Sequence, residues 1–108
     1  SNTNLELCSM LIYNVTTIIE PDIQQDYLNY MQNEHMPEVM ATAKFVDCHL
    51  FQLTEPVNEG LTYCAQYVAS TKEDLEDYRQ NHSPKLQAKF QSKFPAKVVA
   101  FRSILEKI

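Results

Sequence analysis

The hydrophobic and polar positions follow two different periods along the chain, and these periods predict its elements. The segment LIYNVTTIIE, residues 11–20, is rich in β-branched and aromatic residues and predicts a strand. Apolar residues then recur every four positions from Ile23 to Val39, which predicts an amphipathic helix. Two further strands are predicted over residues 45–53 and 61–69, on either side of the turn TEPVNEG.

The second half of the chain repeats this order of elements. Ser70 and Glu73 have the spacing of a capping box, which predicts the start of a second helix. Its apolar positions continue to Phe94, and residues 97–105 predict a closing strand. The order βαββαβ predicts an α+β fold of the ferredoxin-like type, with a four-stranded antiparallel sheet and both helices on one face.

Each predicted helix contains a His-x-Pro sequence, His35 with Pro37 and His82 with Pro84. Proline has no backbone N–H, so it interrupts the helical hydrogen bonds one turn earlier. Both histidines fall on the apolar side of their helix, where a ring N–H can donate to a carbonyl oxygen that the proline leaves free. We therefore assign these four residues a structural role. A catalytic or ligand-binding role for His35 or His82 is the alternative.

The strand residues divide into two sets, because successive side chains point to opposite faces of a sheet. We assign the more apolar, odd-numbered set to the helix side, and it comprises Tyr13, Val15, Ile19, Tyr63, Ala65, Tyr67, Val99 and Phe101. The even-numbered set mixes aliphatic and polar residues, and we assign it to the opposite, open face. Its predicted ligand-binding or interface residues are Asn14, Cys64, Gln66 and Arg102.

An open face of this composition is too apolar for a surface that only contacts water. A second copy packed sheet to sheet would bury the aliphatic positions and leave the polar groups in the interior. A different protein is the alternative partner. A buried arginine needs an anion or a carboxylate, and we favour a role for Arg102 in holding the dimer together over a role in ligand recognition.

Composition excludes several classes of protein. The net charge of −5 disfavours nucleic-acid binding, and no segment approaches the roughly 20 apolar residues of a membrane helix. Residues 10–108 are predicted to form a single domain. Residues 1–9 lack the features of a signal peptide and are predicted to be a leader or an added extension, with Met10 as the natural start. Three cysteines without a Cys-x-x-Cys pair indicate reduced thiols and a cytoplasmic location.

Few residues carry the pattern of a catalytic site. The histidine spacing fits no metal site, and no cofactor is predicted. Cys48 and His49 are neighbours on one strand, so they point to opposite faces and cannot form a nucleophile and its base. Base catalysis would have to use His35 or His49 beside Tyr13 or Tyr63.

A sheet with exposed aromatic residues is also typical of RNA-binding domains, in which the rings stack on bases. Tyr63 and Tyr67 on one predicted strand fit that pattern. The basic, glycine-rich strand of such domains is missing and the net charge is negative, so RNA binding is the third and weakest hypothesis.

Four segments carry a resemblance to a known family: IYNVT, EHMPEVMAT, TYCAQY and FPAKVVAFRSILE. Over residues 10–108 the chain resembles a small bacterial family of unknown function within the dimeric α+β barrel superfamily. The resemblance implies a ferredoxin-like homodimer packed through its sheets, but no activity. The wider superfamily includes cofactor-independent monooxygenases, isomerases, haem-degrading enzymes and non-catalytic stress proteins. This chain has no tryptophan and so departs from the haem-degrading pattern of asparagine, tryptophan and histidine.

These patterns together predict a cytoplasmic homodimer that serves as a small-molecule-binding or structural module. Cofactor-independent monooxygenase or isomerase activity is the alternative. Neither the ligand nor a reaction follows from the sequence.

Overall fold

The chain folds into one four-stranded antiparallel sheet with two helices on one side. The computed structural model describes residues 10–108, so the prediction for residues 1–9 lies outside the described part. The strands are β1 (Leu11–Ile19), β2 (Asp47–Gln52), β3 (Leu61–Ala69) and β4 (Val98–Glu106). Their order in the sheet is β2-β3-β1-β4 and every pairing is antiparallel. The predicted βαββαβ order and ferredoxin-like α+β fold are therefore confirmed.

Both helices contain a π-helical turn in the middle. The first helix, α1, runs over residues 21–41 as a 3-10 turn, an α-helix, a π-helical turn and a second α-helix; these are Pro21–Ile23, Gln24–Tyr30, Met31–His35 and Met36–Ala41. The second helix, α2, runs over residues 72–93 as Lys72–Asp77, the π-helical turn Tyr78–His82 and Ser83–Lys93. Within the described residues, neither helix has the length and apolarity that crossing a membrane requires.

The π-helical turns show how the chain accommodates its two internal prolines. The N–H of Met36 donates to the carbonyl of Met31, and the N–H of Ser83 donates to that of Tyr78, so each bond spans five residues instead of four. Each wide turn immediately precedes a proline, whose ring cannot donate to the turn before it. Pro37 and Pro84 thus shape helices that continue through them.

The hydrogen bond predicted between each histidine ring and a freed carbonyl oxygen does not form in the described residues. Nδ1 of His35 is buried and has no hydrogen-bond partner among the described residues. Nε2 of His82 lies 3.9 Å from Oδ2 of Asp77, a carboxylate one turn earlier on the same helix. The π-helical turn, and not an imidazole, therefore accounts for the altered hydrogen bonding at His35.

The pairing register decides which side chains face the helices. Tyr13 of β1 lies opposite Tyr67 of β3, and Thr17 lies opposite Tyr63. Residues that are directly opposite in a sheet share a face, and these four side chains are all buried. The predicted assignment of odd-numbered residues to the helix side is therefore correct for β1 and β3.

On β4 the predicted assignment is wrong. Val15 lies opposite Arg102 and Ile19 lies opposite Val98, so the even-numbered residues of β4 share the helix side. Val99 and Phe101 lie on the open face, where they are 65% and 54% exposed. Odd-numbered residues need not face the same side on every strand, because the connection before a strand and its register determine which residues face the helices. A shift of the register by one residue exchanges the two faces.

The core between the sheet and the helices is rich in tyrosine. All six tyrosines of the chain are 6% exposed or less. Tyr13, Phe45 and Tyr78 form one aromatic cluster, in which the rings of Phe45 and Tyr78 meet edge to face at 4.8 Å. Such pairs contribute about 0.5–1.5 kcal/mol beyond the burial of their area. The tyrosines thus supply much of the packing and also bring six hydroxyl groups into the core.

The connections between elements use two alanines in unusual conformations. Ala43 follows α1 and has φ of 63°, and Ala96 precedes β4 and has φ of 62°. This left-handed region favours glycine, because a Cβ crowds the following carbonyl there. The start of α2 differs slightly from the predicted capping box, since the Thr71 hydroxyl accepts the N–H of Asp74 at 3.1 Å.

Replacing Ala43 with glycine is expected to raise the free energy of unfolding by about 1 kcal/mol, because the substitution removes left-handed strain. Ala88 is the matched control, since it is exposed within the helical segment Ser83–Lys93. There the same substitution should lower stability by roughly 1 kcal/mol. Urea denaturation measures both changes, and destabilisation by Ala43→Gly would contradict the strain argument.

Candidate functional site

A cleft lies between the sheet and the two helices, with a volume of about 80 Å³. Its floor comes from β1, β3 and β4, and its walls come from α1 and α2. The polar side chains that line it include Tyr13, His35, Tyr67, Tyr78, Ser83 and Arg102. The cleft therefore combines apolar walls with a small set of hydrogen-bonding groups, as ligand sites usually do.

The two π-helical turns both contribute to this cleft. Met31 and His35 come from the turn in α1, and Tyr78 comes from the turn in α2. A π-helical turn inserts an extra residue and widens the helix locally, and such turns are frequent at functional sites. The two His-x-Pro sequences thus mark the places where each helix widens beside the cleft.

Arg102 lies on the helix side of β4 and reaches into the cleft. Its Nε donates to the Tyr13 hydroxyl oxygen at 3.1 Å. The residue as a whole is exposed, so the guanidinium lies where the cleft opens to solvent. The prediction that Arg102 joins Asn14, Cys64 and Gln66 on the open face is therefore wrong, and the cause is the register of β4.

Two polar atoms of the cleft residues are buried without a partner. The Tyr67 hydroxyl and His35 Nδ1 have no hydrogen-bond partner in residues 10–108. Tyr67 is only 1% exposed, and burial raises the pKa of its hydroxyl well above the usual value. The group thus stays protonated and can donate. An unpaired buried hydroxyl costs about 1–3 kcal/mol, so these atoms are suited to a bound group.

The environment of His35 favours its neutral form. The ring lies between Tyr30, whose centroid is 6.0 Å away, and Phe90 at 5.8 Å. Burial lowers the pKa of His35, the nearby Glu38 carboxylate opposes that shift, and the positive charges of Arg102 and Lys89 add to it. His35 therefore offers the cleft a neutral imidazole near neutral pH.

The other candidates for base catalysis lie away from the cleft. His49 is exposed on the open face, where its Nε2 lies 3.0 Å from Oδ2 of Asp47. Tyr63 faces the helices, and its hydroxyl accepts a hydrogen bond from Gln24 at 2.8 Å. Of the predicted pairs, the structure brings together His35 and Tyr13, both of which line the cleft. It places His49 on the opposite side of the sheet from both tyrosines.

The centre of the open face carries a polar network. The Asn14 amide donates to Thr16 at 3.0 Å and to Ser103 at 3.2 Å, and its oxygen accepts a bond from Gln66 at 3.2 Å. Cys64 lies next to this network, with Sγ 3.7 Å from the Thr16 hydroxyl. Asn14, Cys64 and Gln66 thus lie together as predicted, with Ser103 in the place expected for Arg102.

Apolar side chains surround this polar network on the open face. Four of them have exposures of 47% or more: Phe51, Val99, Phe101 and Leu105. Ile12, Ile18 and Val68 are half-buried on the same face. The open face is therefore more apolar than the sequence predicted, because the phase of β4 places Val99 and Phe101 there in place of Arg102.

The cysteines and histidines do not assemble into a reactive or metal-binding cluster in the described residues. Cys48 and Cys64 are free thiols on adjacent strands, and the register directs them to opposite faces. Residues 10–108 contain no group of three histidine, cysteine or acidic side chains arranged to hold a metal ion.

The sequence did not predict that Tyr67 and Tyr78 line a cleft; Tyr67 was assigned to the helix side of the sheet and was also considered for base stacking. The signal in the sequence was the residue type itself. Phenylalanine would fill the same space, whereas each tyrosine brings a hydroxyl that needs a partner or a ligand.

The architecture defines a class of protein, the ferredoxin-like α+β fold, in which two helices cover one side of a four-stranded antiparallel sheet. The chain belongs to the family described as Domain of unknown function (DUF4286), whose sequence profile matches residues 10–108. This confirms the resemblance found in the sequence. No curated protein matches the chain.

Solved structures share the fold at low sequence identity. An ethyl tert-butyl ether d (ethd) family protein from Bacillus halodurans has 15% identity and a TM-score of 0.68, over 91% of this chain and 99% of that one. SnoaB, a cofactor-independent oxygenase from Streptomyces nogalater, has 8% identity and a TM-score of 0.63, over 90% and 91%. The de novo designed protein Foldit4 has 10% identity and a TM-score of 0.60, over 93% and 99%. At these identities the likeness shows the fold alone.

The environment of His35 predicts a pH dependence of stability. Folding lowers its pKa below 6.5, so the unfolded chain binds a proton that the folded chain excludes. The free energy of unfolding should therefore fall as pH decreases from about 7 through 6.5 toward the folded pKa.

Urea denaturation across this pH range, on the wild type and two variants, measures the effect. His35→Gln should make the decline shallower. The comparison variant His49→Gln, on the open face, should not make the decline shallower. Equal slopes for His35→Gln and the wild type would show that His35 does not cause the decline.

Proposed function

We propose that the protein is a homodimer that binds a small molecule in the cleft of each subunit. In this proposal the two sides of the sheet have separate roles. The open face packs against a second copy, and the helix side holds the ligand. The observation that carries the binding function is that Tyr67, a residue of the cleft lining, has a buried hydroxyl without a partner among the described residues.

The cleft suits binding because its polar groups are already in place. The Tyr13 hydroxyl is oriented by Arg102, and Tyr67 and His35 present buried atoms that no described residue satisfies. A ligand that bonded to them after a small shift of these side chains would gain hydrogen bonds without first breaking a protein hydrogen bond. Such preorganisation favours binding, because little ordering is needed when the ligand arrives.

The open face suits a second copy because of its charge as well as its apolar area. Asp47 and His49 carry its ionisable charges, and they pair with each other near one edge at β2. A two-fold interface brings each patch against itself, so like charges near the axis would repel. The central network around Asn14 is neutral and internally hydrogen-bonded, which allows its burial. Asn14, Cys64 and Gln66 are therefore proposed as interface residues.

The proposal places the homodimer in the bacterial cytoplasm. The free thiols Cys48 and Cys64 support this location, because reducing compartments keep such thiols unpaired. The family resemblance supports both the bacterial origin and the sheet-to-sheet dimer.

The alternative, a cofactor-independent monooxygenase or isomerase, is less well supported. His35 and Tyr13 do line one cleft, but the cleft volume of about 80 Å³ is small. A cavity of about 150 Å³ is known to hold benzene, so this smaller cleft does not have room for a substrate with several fused rings. The size of the cleft therefore favours binding of a small molecule.

Removing the Tyr67 hydroxyl tests the binding function. In the unliganded protein Tyr67→Phe should raise the free energy of unfolding by about 1–3 kcal/mol, because it removes an unpaired buried hydroxyl and keeps the ring. Tyr63→Phe is the matched control, since the Tyr63 hydroxyl accepts a bond from Gln24. It should lower stability by about 1 kcal/mol. Chemical denaturation measures both, and a loss of stability in Tyr67→Phe would count against the proposal.

Substitutions at two neighbouring residues of β4 test whether the open face forms the dimer interface. Sedimentation equilibrium of the wild type should give twice the chain mass of 12.5 kDa. Phe101→Glu places a charge on the open face and should give the single-chain mass, since two like charges would be buried there. Arg102→Gln changes the opposite side of the strand and should leave the dimer intact. A wild-type monomer, or a dimer lost only through Arg102→Gln, would refute this interface.

A further inference from the structure

We propose that the cleft recognises a small organic monocarboxylate and that Arg102 binds its carboxylate group. The inference rests on the proposed binding function, since it assigns a chemical class to the ligand of the same cleft. Four features of the described residues support this inference: the unused N–H donors of Arg102, the lack of acidic side chains in the cleft lining, the neutral form of the neighbouring groups and the apolar walls.

Arg102 has N–H donors that no described residue uses. Its Nε is used by the Tyr13 hydroxyl, which takes one of the five N–H donors of a guanidinium. The ion pairs formed within residues 10–108 involve other cations and do not include Arg102. The bond to Tyr13 fixes the plane of the group and leaves both terminal amino groups available.

The surroundings of Arg102 favour an anion. No aspartate or glutamate lines the cleft, although the chain has 14 acidic residues against nine lysines and arginines. Lys44, Lys89 and Lys97 each lie 3.0 Å or less from a carboxylate oxygen. Arg102 differs from them in lining a partly enclosed site without a counterion from the described chain.

The neighbouring groups select a single negative charge. The positive group of the cleft lining is Arg102, because burial lowers the pKa of His35 and leaves that ring neutral. Tyr13, Tyr67 and Tyr78 add hydroxyls without charge. A guanidinium binds a carboxylate through two parallel N–H bonds, which fixes both position and orientation. One arginine therefore matches one carboxylate.

The walls of the cleft require an organic body on the ligand. Val15, Met31, Leu86 and Phe90 line it beside the polar groups. An inorganic anion would leave these side chains without contacts, whereas a short carbon chain would pack against them. The volume of about 80 Å³ limits that chain to a few carbon atoms. A short-chain acid thus satisfies the charge, the apolar walls and the size together.

The test uses the full chain in a buffer free of carboxylate and phosphate, titrated with four probes and followed by amide and arginine side-chain NMR shifts. Butyrate carries the charge and the carbon chain. Butyramide keeps the shape without the charge, butylamine reverses the charge, and inorganic phosphate lacks the carbon chain. We expect butyrate to bind at least tenfold more tightly than each of the other three, and to shift the Arg102 Nε–H signal.

Two variants, each of which removes one positive charge, test whether Arg102 is the residue that binds the carboxylate. Arg102→Gln should weaken butyrate binding at least tenfold. Arg79→Gln removes the same charge from the exposed side of α2, where Arg79 pairs with Glu76, and should leave the affinity unchanged. Circular dichroism checks that both variants keep the fold. An equal loss in both variants would assign the effect to net charge and overturn the role of Arg102.

The outcomes separate this inference from the function on which it rests. If butyramide bound in the cleft as tightly as butyrate, the carboxylate class would be wrong while the binding function stood. Preferred binding of phosphate would overturn the organic class, and preferred binding of butylamine would overturn the anion. If none of the probes shifted a cleft signal, the carboxylate inference would fail; the Tyr67→Phe measurement would then decide the binding function separately.

Discussion

The structure depends on how a core built from tyrosine satisfies its hydroxyl groups. Six phenol rings pack between the sheet and the helices, and each hydroxyl loses water when the chain folds. Tyr13 receives a hydrogen bond from Arg102 and Tyr63 receives one from Gln24. Tyr67 has no partner in the described chain. The hydroxyls of Tyr27 and Tyr30 also lack a partner among the described residues, but these residues do not line the cleft. Among the described tyrosines, Tyr67 combines an unpaired hydroxyl with a place in the cleft lining.

The helices are shaped around the same cleft. Proline at the same position of each His-x-Pro sequence prevents one ordinary helical bond, and the chain responds with a π-helical turn just before it. These turns carry His35 and Tyr78 to the cleft. The prolines therefore act on the site through backbone hydrogen bonding, and the histidine of α1 lines the cleft without bonding to a freed carbonyl oxygen.

Local sequence patterns predicted the fold well, because period-two and period-four apolar repeats report directly on strands and helices. They also grouped Asn14, Cys64 and Gln66 correctly, since the even-numbered residues of β1 and β3 lie on the same face of the sheet. They failed for Arg102, because the phase of a strand depends on the length and path of the connection before it, which local periodicity does not contain. The cleft was missed for a related reason. A buried tyrosine looks like core in the sequence, and only the packed structure shows whether its hydroxyl has a partner.

The central claim is that the two sides of the sheet have separate roles, with a second copy on the open face and a ligand on the helix side. A crystal structure of the full chain grown with butyrate tests this most directly. The account predicts two chains packed through the faces that carry Phe101, with butyrate in each cleft and its carboxylate on Arg102. Chains packed through the cleft, or a cleft filled by the partner's side chains, would contradict it.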